Sequence, residues 1–230
     1  MRKFLILKLQ APMQCWGEHT FEGLRPSANL PSRSGILGLI GSCLGIKRND
    51  QKQLQELADS VGMAVRVDTR CLTGKNGSFK TLRIVKTTDY HTVLDARADY
   101  EGKKQPHKTI QTWREYLYDG EFTVSLWNHN HARISLDQLE ASVKRPVFTP
   151  YLGRRCCPLA RPLFLERLQA MNSVDALKGI PPSGGTIYSE EKIDSKNVRM
   201  KRVRDVPLVQ QPRQFAGRNL YIYGGEYVSD

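Results

Sequence analysis

Acidic residues, paired cysteines and long apolar runs are what this sequence has little of. Its 23 aspartates and glutamates face 35 lysines and arginines, for a formal charge of +12 and a pI near 9.6. An excess of this size is silent about fold but favours an anionic partner, nucleic acid above all. It is not a tail. Residues 146–230 carry 13 basic and 8 acidic side chains, and the rest carry 22 and 15, so both parts contribute to the positive field. The five cysteines (Cys15, Cys43, Cys71, Cys156, Cys157) are odd in number and show no zinc spacing, which argues against a metal framework or a disulfide scaffold. Cys156 and Cys157 are adjacent, a poor geometry for bridging to each other. A reducing cytoplasm is the expected location. No stretch approaches a bilayer span, and the apolar part of Met1 to Gln10 is too short and interrupted for a signal peptide, so no membrane role is expected. Gly35, Gly38 and Gly41 are not followed by Gly-Lys-Ser/Thr, which excludes a Walker loop, and no helical pair of histidines is spaced for a metal. No cofactor is expected.

What is present reads as a folded α+β chain. Apolar residues make up 40% of it, enough for a sizeable core. Phe4 to Leu9 reads as a buried strand. Residues 11–34 form a long connection holding Trp16, His19, Phe21 and Arg25, and a loop of this length is usually functional. Ser34 to Gly45 reads as a helix capped by Ser34, with a glycine every third residue for close packing. Gln51 to Val61 is an amphipathic helix, and Met63 to Val67 a strand. Residues 73–110 are poor in apolar groups and read as an excursion from the body, with short strands at Thr81–Val85 and Tyr90–Leu94. Thr109–Tyr118 and Glu121–Trp127 flank Asp119-Gly120, a strong hairpin signal. Ser135 caps a short helix to Val143. The order suggests a ferredoxin-like or RNA-recognition-type domain over residues 1–145. Residues 146–230 read as a smaller, irregular, β-rich domain with strands at Val198–Val203 and Leu220–Tyr223.

Several residues suit an anionic polymer. Ser34 at a helix mouth leaves backbone N–H groups and the positive end of the dipole facing outward, and Arg33 adds a planar donor fork. Tyr151-Leu152-Gly153-Arg154-Arg155 combines a face on which a base can stack, a close-approach glycine and two phosphate- or guanine-binding arginines. In Gln111 to Tyr116, alternation puts Thr112, Arg114 and Tyr116 on one face. The functional reading turns that face to RNA; the plainer one makes Trp113 core. Gln14 and Trp16 lie in the first long loop, where Trp16 either stacks or packs. Arg25 and Arg213 are further candidates. His91, His107, Lys108 and Tyr90 could supply general acid–base chemistry for a metal-independent ribonuclease, though no spacing fixes an orienting partner.

The blocks Leu5–Gly17, Pro31–Gly45, Asp89–Arg97, Thr109–Tyr116 and Thr149–Pro158, with Arg213 to Ala216, resemble in order and spacing the CasD subunit family of type I-E CRISPR Cascade, among the RAMP proteins that bind the crRNA 5′ handle. The resemblance implies an RNA-recognition-like domain with a protruding β-hairpin thumb at about residues 80–108 and a smaller C-terminal domain. It implies a subunit that caps the crRNA 5′ handle and contacts the large and backbone subunits. In type I-E systems another subunit cuts the precursor, so no catalytic residue is implied. A type I-C branch cleaves RNA, but its Tyr, Lys and His are not carried onto Tyr90, Lys108 and His107.

Overall fold

The computed structural model describes residues 1–18, 20, 23–73, 76, 79–94, 109–182, 184–195, 197–208 and 214–224. Strand β1 (Arg2–Gln10) is followed by four two-residue strands, β2 (Met13–Gln14), β3 (Trp16–Gly17), β4 (Leu24–Arg25) and β5 (Ser27–Ala28). Helices α1 (Arg33–Leu44) and α2 (Gln51–Ser60) lead to β6 (Val61–Val67), β7 (Arg70–Thr73), β8 (Phe79–Leu82), β9 (Val85–Leu94), β10 (Thr109–Tyr118) and β11 (Glu121–Asn128). Then come α3 (Leu136–Lys144), β12 (Phe164–Ala170), α4 (Ser173–Lys178), β13 (Thr186–Ser189), β14 (Arg199–Leu208) and β15 (Gln214–Tyr223).

The body is a seven-stranded sheet in the order β12-β1-β11-β6-β13-β15-β14, every neighbouring pair antiparallel. Strands β1, β11 and β6 form its centre, with β12 on one side and β13, β15 and β14 on the other, so one sheet runs across residue 145. The period of two along β1 divides the core. Leu5, Leu7 and Leu9 pack with Ile36 and Ile40 of α1, Leu57 of α2 and Leu139 of α3. Phe4 and Ile6 point the other way, against Trp127, Val174 and Leu177. Each fully buried aliphatic contributes roughly 1.5–3 kcal/mol. Lys8 shares the second face and is buried in a polar knot. Its ammonium meets Asp68 at 2.5 Å and Glu121 at 3.1 Å, while Arg66 bonds Asp68 and the carbonyls of Leu177 and Ile180 at the end of α4. A cation there also suits the helix dipole.

Asp119-Gly120 does not close a hairpin. β10 joins β9, β2 and β4 in a second sheet, whereas both edges of β11 are taken by β1 and β6. The turn, with Asp119 at φ 58, passes the chain between sheets. The pairing partners of β11 lie far away in sequence, and their burial outweighs the local turn signal. Likewise β9 is one ten-residue strand, where the sequence suggests a shorter one. The turn reading at Gly74 and Lys75 and the excursion over 95–108 lie outside the described residues, as do His19, Phe21, His107, Lys108 and Arg213.

Candidate nucleic-acid interface

Directly opposed residues of adjacent strands share a face. Arg114 of β10 stands opposite Asp89 of β9 and beside Arg25 of parallel β4. Thr112 is opposite His91 on the same face. Tyr116 completes the row, and the Arg154 guanidinium lies 4.7 Å from its ring centroid. Thr112 is buried, and its hydroxyl accepts a 3.1 Å bond from Arg114 Nε, so it orients the arginine rather than meeting a ligand itself. The other face carries Trp113 against Tyr90, ring centroids 5.4 Å apart, with Leu24 alongside. Trp113 is 42% exposed, so it is not core. The charges placed on this second face, Lys86 and Glu115, pair at 3.5 Å.

Arg154 ties the pieces together. It donates to the Glu115 carbonyl at 3.2 Å and the Arg25 carbonyl at 3.0 Å. These partners are neutral, so the bonds fix its position and leave its charge uncompensated. Gly153, at φ +92, has Cys15 at its back; a Cβ there would fall 1.6 Å from the Cys15 carbonyl oxygen. The close approach expected of this glycine is therefore to the protein's own backbone. Arg155 and Tyr151 are exposed on the same loop. Burial holds the Cys157 thiol protonated, pushed up to about 12 with help from Cys156, and Cys15 is raised as well, chiefly by burial. Burial and the Cys156 thiol raise the Tyr116 hydroxyl against the lowering effect of Arg154, which keeps it protonated.

The helix mouth differs from the sequence expectation. Ser32, not Ser34, is the N-cap, accepting from the Gly35 N–H. The Arg33 N–H donates to Asp205 at 2.7 Å, so a carboxylate of the chain itself occupies the anion position. Arg33 is turned inward, only 7% exposed, with its guanidinium on Glu190 and on the carbonyls of Ala58 and Val61. It cannot hold a phosphate there. Arg218 joins Asp205 and Glu190 to close a network of two arginines and two carboxylates. Gln14 and Trp16 are also buried. Gln14 donates to the Gly120 carbonyl and accepts from the Trp16 indole, while the Trp16 ring lies over Gly35, where a Cβ would come within 2.9 Å. Trp16 is a wall, not a stacking platform. Its size matched both readings, and packing against Gly35 decides.

Beside these residues opens a cleft of about 620 Å³. Trp16, Arg25, Ser34, Tyr151 and Arg154 all line it, so five sequence-predicted residues converge on one hollow. Arg114 stands one strand from Arg25. Arg33, Gln14 and Arg155 are not on the lining. The structure adds Arg48, exposed on the loop after α1, and Leu208 and Phe215 from the ends of β14 and β15. The basic pair Lys47-Arg48 just past the Gly45 cap was the one sequence signal for that loop.

Residues 4–221 match the family model described as CRISPR-associated protein (Cas_Cas5). The CRISPR system Cascade subunit CasD of Escherichia coli (strain K12) is 51% identical over 225 residues, which are 98% of this chain and 97% of that protein. A chain of a solved CRISPR RNA-guided surveillance complex superposes with a TM-score of 0.74 at 27% identity, over 96% of this chain and 89% of its own. The crystal structure of a Cas protein superposes at 0.60 with 24% identity, over 96% and 93%, and bears on the fold alone.

Proposed function

The chain belongs to the CRISPR-associated protein (Cas_Cas5) family, and on that premise we propose that it is a non-catalytic, cytoplasmic RNA-binding subunit of a type I-E Cascade complex. It caps the crRNA 5′ handle and docks on the large and backbone subunits. One observation carries the RNA part. Arg25 and Arg154 line one cleft and Arg114 stands beside Arg25 on the neighbouring strand, with Tyr116 under the Arg154 guanidinium and Tyr151 on the cleft lining. Single-stranded RNA presents phosphates and splayed bases together, which this mixture of cations and aromatic faces suits. The order β12-β1-β11-β6, with α1 and α2 between β1 and β6 and α3 between β11 and β12, supports a ferredoxin-like arrangement whose last strand, β12, comes from beyond residue 145. The exposure of β9 supports a thumb at about residues 80–108. Residues 146–230 form the smaller C-terminal part, joined to the first through the shared sheet. Arg155 and Arg213 belong to the proposed RNA-binding set.

Fluorescence anisotropy with a labelled handle RNA and a scrambled strand of equal length tests the reading. Tight, sequence-selective binding that weakens about tenfold in Arg114→Ala or Arg154→Ala is expected. No binding, or equal affinity for both strands, overturns it. A metal-independent endoribonuclease is the second reading, favoured by one contact: Asp89 holds His91 Nε2 at 2.6 Å, on the face that carries Arg114. Site-specific cleavage in EDTA that disappears in His91→Ala would establish it in place of the first.

A further inference from the structure

The cleft has more structure than a phosphate contact needs. Its volume of about 620 Å³ is that of a ligand site, and its walls are Trp16, Leu54, Leu208 and Phe215. At its rim Arg25, Arg48 and Arg154 form no ion pair with any described carboxylate. Among the described residues Glu18 is the one carboxylate on the lining. The floor includes α1, where three glycines recur. Gly35 is needed by Trp16, and Gly41 packs against Leu57 at 3.6 Å. Among the described residues Gly38 packs against nothing: a Cβ there would have no heavy atom within 4 Å, and the residue is exposed on the cleft. A mid-helix glycine lowers the folding equilibrium roughly fivefold relative to alanine. No packing among the described residues offsets that cost.

We propose, on the basis of the RNA-binding reading, that this cleft takes one extruded nucleotide of the bound single-stranded RNA. The base lies on the bare helix surface at Gly38, beside Leu208 and Phe215, and the phosphate sits among Arg25, Arg48 and Arg154. The walls supply the apolar contact a base face needs, and the rim supplies charge where an anion enters. Glu18 supplies an acceptor for an exocyclic amine and disfavours a second phosphate.

The test is anisotropy with the purified full chain and a set of handle RNAs, each abasic at one position. One abasic position is expected to weaken binding about tenfold and the others about twofold or less. Gly38→Leu, which fills the floor, should bind intact RNA as weakly as the wild type binds that abasic RNA, and the two losses should not add. Gly38→Ala favours the helix and guards against a folding artefact; it should give an intermediate loss. Arg48→Ala, on an exposed loop, should weaken binding severalfold. Uniform abasic losses, or a well-folded Gly38→Leu with unchanged affinity, would overturn the nucleotide site and leave the RNA-binding reading intact. No RNA binding by the wild type would overturn both. Adenosine monophosphate separates the sources: tight binding of it that intact RNA cannot displace would assign the cleft to a free nucleotide and sink the proposal, as would occupation by an apolar side chain of a copurifying protein with RNA bound elsewhere.

Discussion

Arginine is one letter in the sequence and at least three situations in the fold. Arg33 is spent inside, Arg154 is fixed by neutral carbonyls, and Arg114 is steadied by a hydroxyl. Residue type and local spacing marked all three as RNA contacts, because neither records which carboxylates a distant strand will bring. Removing Arg33 leaves Glu190 beside Arg218 but strips the Ala58 and Val61 carbonyls of a donor. Arg33→Ala should lower unfolding free energy by about 3–5 kcal/mol, read from urea melts, with little change in RNA affinity of the folded protein. Arg114→Ala should do the reverse, losing affinity with nearly unchanged stability. Gly153→Ala combines a left-handed φ with a clash against Cys15, and should cost at least about 2 kcal/mol in the same melts. A stability loss below that would mean the loop can move off Cys15.

Helices were the most legible elements. Ser135 caps α3 as read, with Gln138 completing a capping box, and Gly45 ends α1 in the left-handed region. The start of α1 was displaced by two residues because Ser32 and Ser34 are equally good caps in sequence, and Asp205, far along the chain, completes the mouth. That contact makes the junction of α1 with β14 and β15 acid-sensitive. Burial raises the Asp205 carboxyl, but the hydrogen bonds and charge of Arg218, with the N–H and charge of Arg33, pull it down further, so it sits below its ordinary value. A carboxyl lowered on folding contributes stability that is whole above the unfolded pKa, about 4, and is lost as pH falls through the folded one. The wild-type Tm should therefore drop as pH falls below about 4. Asp205→Asn should melt lower at neutral pH and show a shallower acid limb; parallel limbs in the two proteins would remove Asp205 from the account.

For the molecule as a whole, the sequence conveyed the sign of the field and the order of the longer strands and helices of residues 1–145, while β2 to β5, β7, β12, α4 and β13 went unread. The short, half-polar β12 and β13 acquire meaning only by pairing with β1 and β6, more than a hundred residues away. The same non-local assembly makes the cleft, and it sets how binding should respond to salt. Counterion release gives single strands a log–log slope of roughly −0.7 for each phosphate neutralised. Arg25, Arg114 and Arg154 together then predict a slope near −2 or steeper for handle RNA. If +12 acted only as a diffuse field, removing any one arginine would barely change that slope. If the three are discrete contacts, Arg114→Ala should flatten it by roughly 0.7 and Lys52→Ala, on the exposed side of α2, should leave it unchanged. Titrations of the three proteins against one RNA over a tenfold range of salt decide between a groove and a halo: equal slopes in all three would dissolve the arginine cluster as a binding site, whatever its geometry.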